Sequence, residues 1–98
     1  MPSVTLTDQQ IEKALFELPG WKRSGTAEVS TIQRVFEFPD FVNAMQFVNK
    51  VAEVAESANH HPDIDIRYNK VTMALTSHDS GGVTNRDVKM AKRINELG

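Results

Sequence analysis

Apolar residues at Ile11, Ala14, Leu15 and Leu18 follow the i, i+3, i+4, i+7 spacing of one helical face. Thr7 precedes them with Gln10 three residues on, and Leu6 is placed to pack on Ile11, so the sequence predicts a capped helix from Asp8 that Pro19-Gly20 closes. Extended segments are predicted at 21–24 and 28–38, with Gly25 at the turn between them and Ile32, Phe36 and Phe38 on one face. Pro39-Asp40 opens a long helix reaching Ala58, with Asp40 as its N-cap and Asn59 as its C-cap, and Pro62 keeps the chain from resuming it. Two alternating runs follow, Ile64, Ile66, Tyr68 and then Val71, Met73, Leu75, which predict a β-hairpin turning at Asn69-Lys70. Thr84 and Asp87 form a second capping box flanked by Val83 and Val88, and the terminal helix carries Val88, Met90, Ala91, Ile94 and Leu97 inward. The predicted class is α+β in the order α-β-β-α-β-β-α.

The long helix carries two apolar stripes: Phe41, Met45, Val48, Ala52 and Ala55, and beside them Ala44, Phe47, Val51, Val54 and Ala58. Together they span about half the circumference, wider than the stripe of roughly 100° that one buried face needs. One stripe is expected on the sheet. The other predicts a homodimer or homotetramer through helix 40–58, unless the first or third helix covers it within the chain.

Composition narrows the functions available. The 98 residues suffice for one domain, 1–98, and 40% hydrophobic with 24% charged residues is the balance of a globular chain. A net charge of −2 supplies no basic field, so direct nucleic-acid binding is not expected. The absence of cysteine excludes disulfides, thiolate metal sites and cysteine nucleophiles. Neither an export signal at Met1-Pro2-Ser3-Val4 nor a membrane span is recognisable, which makes a cytoplasmic location the expectation.

The predicted turn sets Tyr68 opposite Val71, Ile66 opposite Met73 and Ile64 opposite Leu75, with every large apolar residue on one face. Asp63, Asp65 and Arg67 fall on the other face with Thr72, Ala74 and Thr76. Extended to the open end, this register places His61 opposite His78, with His60 adjacent. Three readings of the cluster compete. Adjacent His60-His61 lacks the spacing of a helical zinc pair and Asp63, Asp65 and Asp79 are scattered, so no metal is expected. The spacing leaves open whether the histidines cap and bond locally or exchange protons with a substrate near neutral pH.

Four segments taken together carry a resemblance: Glu56-Ser57-Ala58-Asn59-His60-His61-Pro62, Tyr68-Asn69-Lys70-Val71, Ser77-His78-Asp79 and Gly82-Val83-Thr84-Asn85-Arg86-Asp87. They resemble the signature of the pterin-4a-carbinolamine dehydratase family: a Glu shortly before His-His-Pro, then Tyr-x-x-Val, a Thr-His or similar, and Gly-x-[Thr/Ser]-x-x-Asp. The resemblance implies a four-stranded antiparallel sheet with three helices on one face, assembled as a dimer or tetramer through the middle helix. It implies a hydro-lyase, active without cofactor or metal, that dehydrates a 4a-hydroxytetrahydropterin to a quinonoid dihydropterin in recycling linked to an aromatic amino-acid hydroxylase. His60, His61 and His78 become the acid-base groups. His61 and His78 are expected to protonate the departing hydroxyl, one on each face, and a neutral histidine to accept the ring N–H proton. Glu56, Asn59, Thr76, Ser77 and Asp79 join the histidines as substrate contacts, and Arg86 and Asp87 lie nearby, although capping alone explains Asp87. Trp21 is either a stacking partner for the pterin or a core residue. Animal members carry an acidic residue where this chain has Asn59, so a charge beside His60 is absent here. Some members are noncatalytic partners, acting as transcriptional coactivators or linked to assembly of a carbon-fixing enzyme, and that is the alternative function.

Overall fold

A computed structural model describes residues 4–26 and 28–98 and shows seven elements in the predicted order. Residues 1–3 of the N-terminal stretch read for an export signal lie outside the described part. Helix α1 (Asp8–Leu15) has the expected capping box: Thr7 Oγ1 accepts the Gln10 N–H at 3.2 Å and Gln10 Oε1 accepts the Thr7 N–H at 2.8 Å. It stops short of Leu18. Phe16, Glu17 and Leu18 donate to carbonyls three residues back, at 3.0–3.3 Å, so the chain tightens into turns that still carry Leu18 into the core.

Strands β1 (Lys22–Gly25), β2 (Ser30–Glu37), β3 (Asp63–Arg67) and β4 (Lys70–Leu75) form one antiparallel sheet in the order β1-β2-β4-β3. The first strand begins after Trp21, and the second is shorter than the predicted 28–38. Helices α2 (Phe41–Ala58) and α3 (Asn85–Leu97) join α1 over one face. There Ile32, Phe36, Val71, Met73 and Leu75 of the sheet form the core with Ile11, Phe47, Val51, Met90 and Ile94 of the helices. Gln33, Glu37, Lys70 and Thr72 occupy the opposite, polar face. Among the described residues no helix is long and apolar enough to cross a membrane.

The hairpin register differs from the prediction. Arg67 pairs with Lys70, Ile66 with Val71, Ile64 with Met73 and Asp63 with Ala74, so the turn is Tyr68-Asn69 and the pairing is displaced by two residues. The cause lies outside the hairpin. Lys70 pairs with Glu37 of β2, and Asn69 is held by Phe38, whose N–H donates to the Asn69 carbonyl at 2.9 Å while Asn69 Nδ2 donates to the Phe38 carbonyl at 2.8 Å. The central strand therefore claims Lys70, and Tyr68 takes the left-handed turn position at φ 51°. A displacement of two preserves the period of two, so every side chain keeps its predicted face.

The two stripes of α2 also sort differently. Its buried residues come from both: Val48 and Ala55 from one, Ala44, Phe47 and Val51 from the other. α3 packs along α2 and covers part of the second stripe within the chain. Phe41 remains 47% exposed, with Val42, Ala52 and Ala58 also in solvent. β3 is exposed throughout and, among the described residues, pairs only with β4, which leaves Ile64 and Ile66 37% and 38% exposed at the sheet edge.

Candidate active site

The end of α2 delivers two histidines. Asn59 adopts left-handed backbone (φ 51°, ψ 42°), and the N–H groups of Asn59 and His60 return to the Glu56 and Ala55 carbonyls at 3.2 and 3.1 Å. The helix thus ends within one residue, and Pro62 bars His61 from helical backbone. The third histidine arrives on the loop after β4. The Ser77 carbonyl accepts N–H bonds from Ser80, Gly81 and Gly82 at 3.0, 2.9 and 3.3 Å, and Ser77 N–H donates to Gly82 O at 3.0 Å. Gly81, at φ 82°, supplies the backbone this closure requires. Thr76 Oγ1 donates to the Ser30 carbonyl at 2.8 Å and ties the loop base to β2.

Asn59, His60, His61, Thr76, Ser77, His78, Asp79 and Arg86 line one cavity of about 360 Å³. All three histidines of the chain therefore meet, by a route other than the one predicted. Continued past Asp63–Ala74, the observed register brings Thr76, not His78, level with His61, and the 77–82 loop carries His78 to the cavity instead.

Each histidine has a different setting. Asp87 is completely buried at 0% exposure, and its carboxylate is satisfied by three donors. Oδ2 accepts the Thr84 N–H at 2.8 Å and the Ser77 hydroxyl at 2.9 Å, while Oδ1 faces His60 Nε2 at 2.5 Å. Because a carboxylate oxygen accepts, Nε2 of His60 carries the hydrogen, and in the Nε2–H tautomer Nδ1 is an acceptor. His61 Nε2 donates to Glu56 Oε1 at 2.7 Å, with both side chains largely in solvent, so this contact orients the ring more than it stabilises the fold. His78 is exposed and makes no hydrogen bond through its side chain among the described residues. The cavity thus combines one rigidly held imidazole, one loosely held and one free.

Arg86 bridges the cavity wall. Its Nη2 donates to Asp79 Oδ1 at 2.5 Å and to Ser80 Oγ at 3.5 Å, and the bond from Arg86, followed by its charge, holds the Asp79 carboxyl below the usual carboxylate range. Arg86 Nε is buried with no partner among the described residues. Trp21 is not part of the cavity. It is a core residue, edge-on to Phe36 at 6.4 Å, and its indole N–H donates to Asn95 Oδ1 at 2.8 Å, which leaves it unavailable for stacking on a ligand held by the histidines. Among the described residues no three His, Asp or Glu side chains converge as a metal site.

An adjoining groove of about 520 Å³ between α2 and α3 shares His60 and Arg86 with the cavity and adds Lys89, Met90 and Arg93. Sequence reasoning did not single out Lys89 or Arg93, because charges on the polar side of an amphipathic helix ordinarily signal only solvation.

Fold and cavity define a small α+β protein with three imidazoles, side chains of a type that donates and accepts protons, lining one cavity. The description "Pterin 4 alpha carbinolamine dehydratase" belongs to the family whose signature matches residues 4–97. The chain belongs to this family. A Koribacter versatilis protein provisionally named pterin-4-alpha-carbinolamine dehydratase is 59% identical over 95 residues, covering 97% of each chain. A similarly named Acidobacterium capsulatum protein is 56% identical over 94% of this chain and 96% of its own. The crystal structure of a transcriptional coactivator/pterin dehydratase from Brucella melitensis superimposes with a TM-score of 0.88 at 38% identity, covering 95% of this chain and 97% of that one. A pterin dehydratase-like RuBisCO assembly factor of the alpha-carboxysome shares the fold, with a TM-score of 0.67 at 20% identity over 80% of this chain and 88% of its own.

Proposed function

We propose that the chain dehydrates 4a-hydroxytetrahydropterins to quinonoid dihydropterins, with His60, His61 and His78 as the acid-base groups. The observation that carries this reading is the convergence of all three histidines on one cavity, each with a different proton-bearing arrangement. His60 serves as base: with Nε2–H given to Asp87, its Nδ1 accepts the ring N–H proton of the substrate. His61 or His78 donates a proton to the hydroxyl as the C4a–O bond breaks, and the electron pair of the lost N–H closes the C=N bond. Water leaves, no electrons are exchanged with a cofactor, and the histidines end with the proton transferred among them. Glu56 orients His61, Asp87 orients His60, and Asn59, Thr76, Ser77 and Asp79 contact the pterin edge. The role is recycling in the cytoplasm of the pterin used by an aromatic amino-acid hydroxylase, without direct nucleic-acid binding.

A carbinolamine already loses water spontaneously, so the protein has a small barrier to lower and positioned imidazoles contribute on the order of 10²–10⁴-fold. Stopped-flow absorbance of 4a-hydroxytetrahydropterin generated in situ tests this. Acceleration that falls in His61→Ala and His78→Ala supports the reading, and a decay rate indifferent to the wild-type protein refutes it.

Exposed Phe41 and Val42 on α2, together with the coactivator named among the solved neighbours, favour a second reading, a homodimer or homotetramer that also engages a partner protein through α2. Sedimentation of Phe41→Glu against wild type tests it: an unchanged molar mass removes α2 from any interface.

A further inference from the structure

We infer that the groove between α2 and α3 is a subsite for an anionic substituent on the pterin, a phosphate or a carboxylate carried at the end of a short side chain. This inference rests on the dehydratase reading for the identity of the ring, but the groove's charge and shape stand apart from the chemistry. Three cations line it from α3: Arg86, Lys89 and Arg93, at i, i+3 and i+7 on one helical face. At the rise of an α-helix Lys89 lies about 5 Å and Arg93 about 10 Å along the axis from Arg86, which already belongs to the histidine cavity. The row therefore leads away from the histidine cavity along the groove. Val54, Ala58 and Met90 give the groove an apolar floor for the linking carbons.

Charge supports an anion. Arg86 is engaged by Asp79, but Lys89 and Arg93 make no ion pair among the described residues, and only Glu53 faces them from α2. This local positive excess stands on a chain of net charge −2. The groove, of about 520 Å³, and the cavity, of about 360 Å³, meet at His60 and Arg86, so ring and tail occupy them together.

The test uses pterins that differ only in the C6 substituent: a neutral polyol, a carboxylate-terminated chain and a phosphate-terminated chain. Affinity of the stable oxidised pterins, read from their fluorescence, is expected to be about tenfold higher for an anionic tail, with the preference shrinking at high salt. The Lys89→Gln/Arg93→Gln double variant is expected to lose that preference, and exposed side chains at both positions leave folding intact. Lys92→Gln, which removes a charge on the same helix that faces Glu17 instead, is expected to keep it. Comparison of the two anionic probes identifies which group the groove prefers. Equal affinity for neutral and anionic tails, or a preference that survives in the double variant, overturns the inference. Dehydration of the 4a-hydroxy forms is followed separately: acceleration without tail preference sinks only the subsite, whereas tail preference without acceleration sinks only the dehydratase reading.

Discussion

Removing the Asp87 carboxylate is expected to damage the fold and the histidine cavity at once. In Asp87→Ala three donors lose their acceptor: the Thr84 N–H, the Ser77 hydroxyl and His60 Nε2–H. Loss of the capping contact costs about 1 kcal/mol. The Ser77 hydroxyl adds about 1 kcal/mol, and the buried, charge-assisted bond to His60 about 2 kcal/mol. Solvent screening offers no relief, because Asp87 is fully buried and the His60 side chain is only 11% exposed. The total of about 4 kcal/mol is a large part of the roughly 5–15 kcal/mol that holds a domain of this size together. At a urea dependence of about 1–2 kcal/mol per molar, the midpoint falls by about 2–4 M. Trp21, the single tryptophan and a core residue, reports the transition by fluorescence. A companion cycle of Asp87→Ala with His60→Ala separates the parts, with an expected coupling of about 1–3 kcal/mol. A midpoint lowered by less than about 0.5 M, or a coupling near zero, refutes the assignment of Asp87 as the group that holds His60 and caps α3.

Leu75→Ala, at a position with 0% exposure, is expected to cost about 2–5 kcal/mol by the same urea titration. Tyr68→Gly places a residue tolerant of positive φ at the hairpin turn and is expected to raise stability by about 1 kcal/mol, whereas a loss places the strain elsewhere. His78→Ala removes an exposed side chain with no hydrogen bond among the described residues, so it is expected to slow pterin dehydration while changing stability by less than about 0.5 kcal/mol. The lowered Asp79 carboxyl, held mainly by its bond from Arg86, gives stability that is full above the unfolded-state value and lost as pH falls through the folded one. Wild type is therefore expected to weaken as pH falls below the ordinary carboxylate range, and Asp79→Asn to weaken less steeply there; parallel curves by thermal melting contradict this.

The parts of the fold legible in the sequence are those decided within a few residues. Thr7 with Gln10, Asp40 with Asn43 and Thr84 with Asp87 are bonds across one helical turn, and Asn59 needs only its own left-handed backbone. Strand faces were equally readable, since alternation fixes which side chains share a side. Alternation does not fix register, and the pairing of Lys70 with Glu37, 33 positions away in the chain, decided the turn. The gathering of the histidines was legible from motif order, but the His60–Asp87 bond, between residues 27 apart, was not, because a capping role accounted for Asp87 completely. Trp21 showed the same ambiguity, which only its contacts with Phe36 and Asn95 resolve.

The free edge at β3 has a consequence for how copies of the chain behave in a crowd. The strand begins two residues after His61, is five residues long and carries charge at Asp63, Asp65 and Arg67, alternating with Ile64 and Ile66. Short length and charge are what keep an exposed edge from recruiting other strands indiscriminately. Without those charges, 63–67 becomes an apolar β-forming segment with unsatisfied backbone donors and acceptors, and Asp63→Val/Asp65→Val is expected to scatter light at concentrations where wild type stays clear. The acidic pair on β3 therefore governs colloidal behaviour: it sets how concentrated the protein can become before neighbouring molecules adhere beside the histidines.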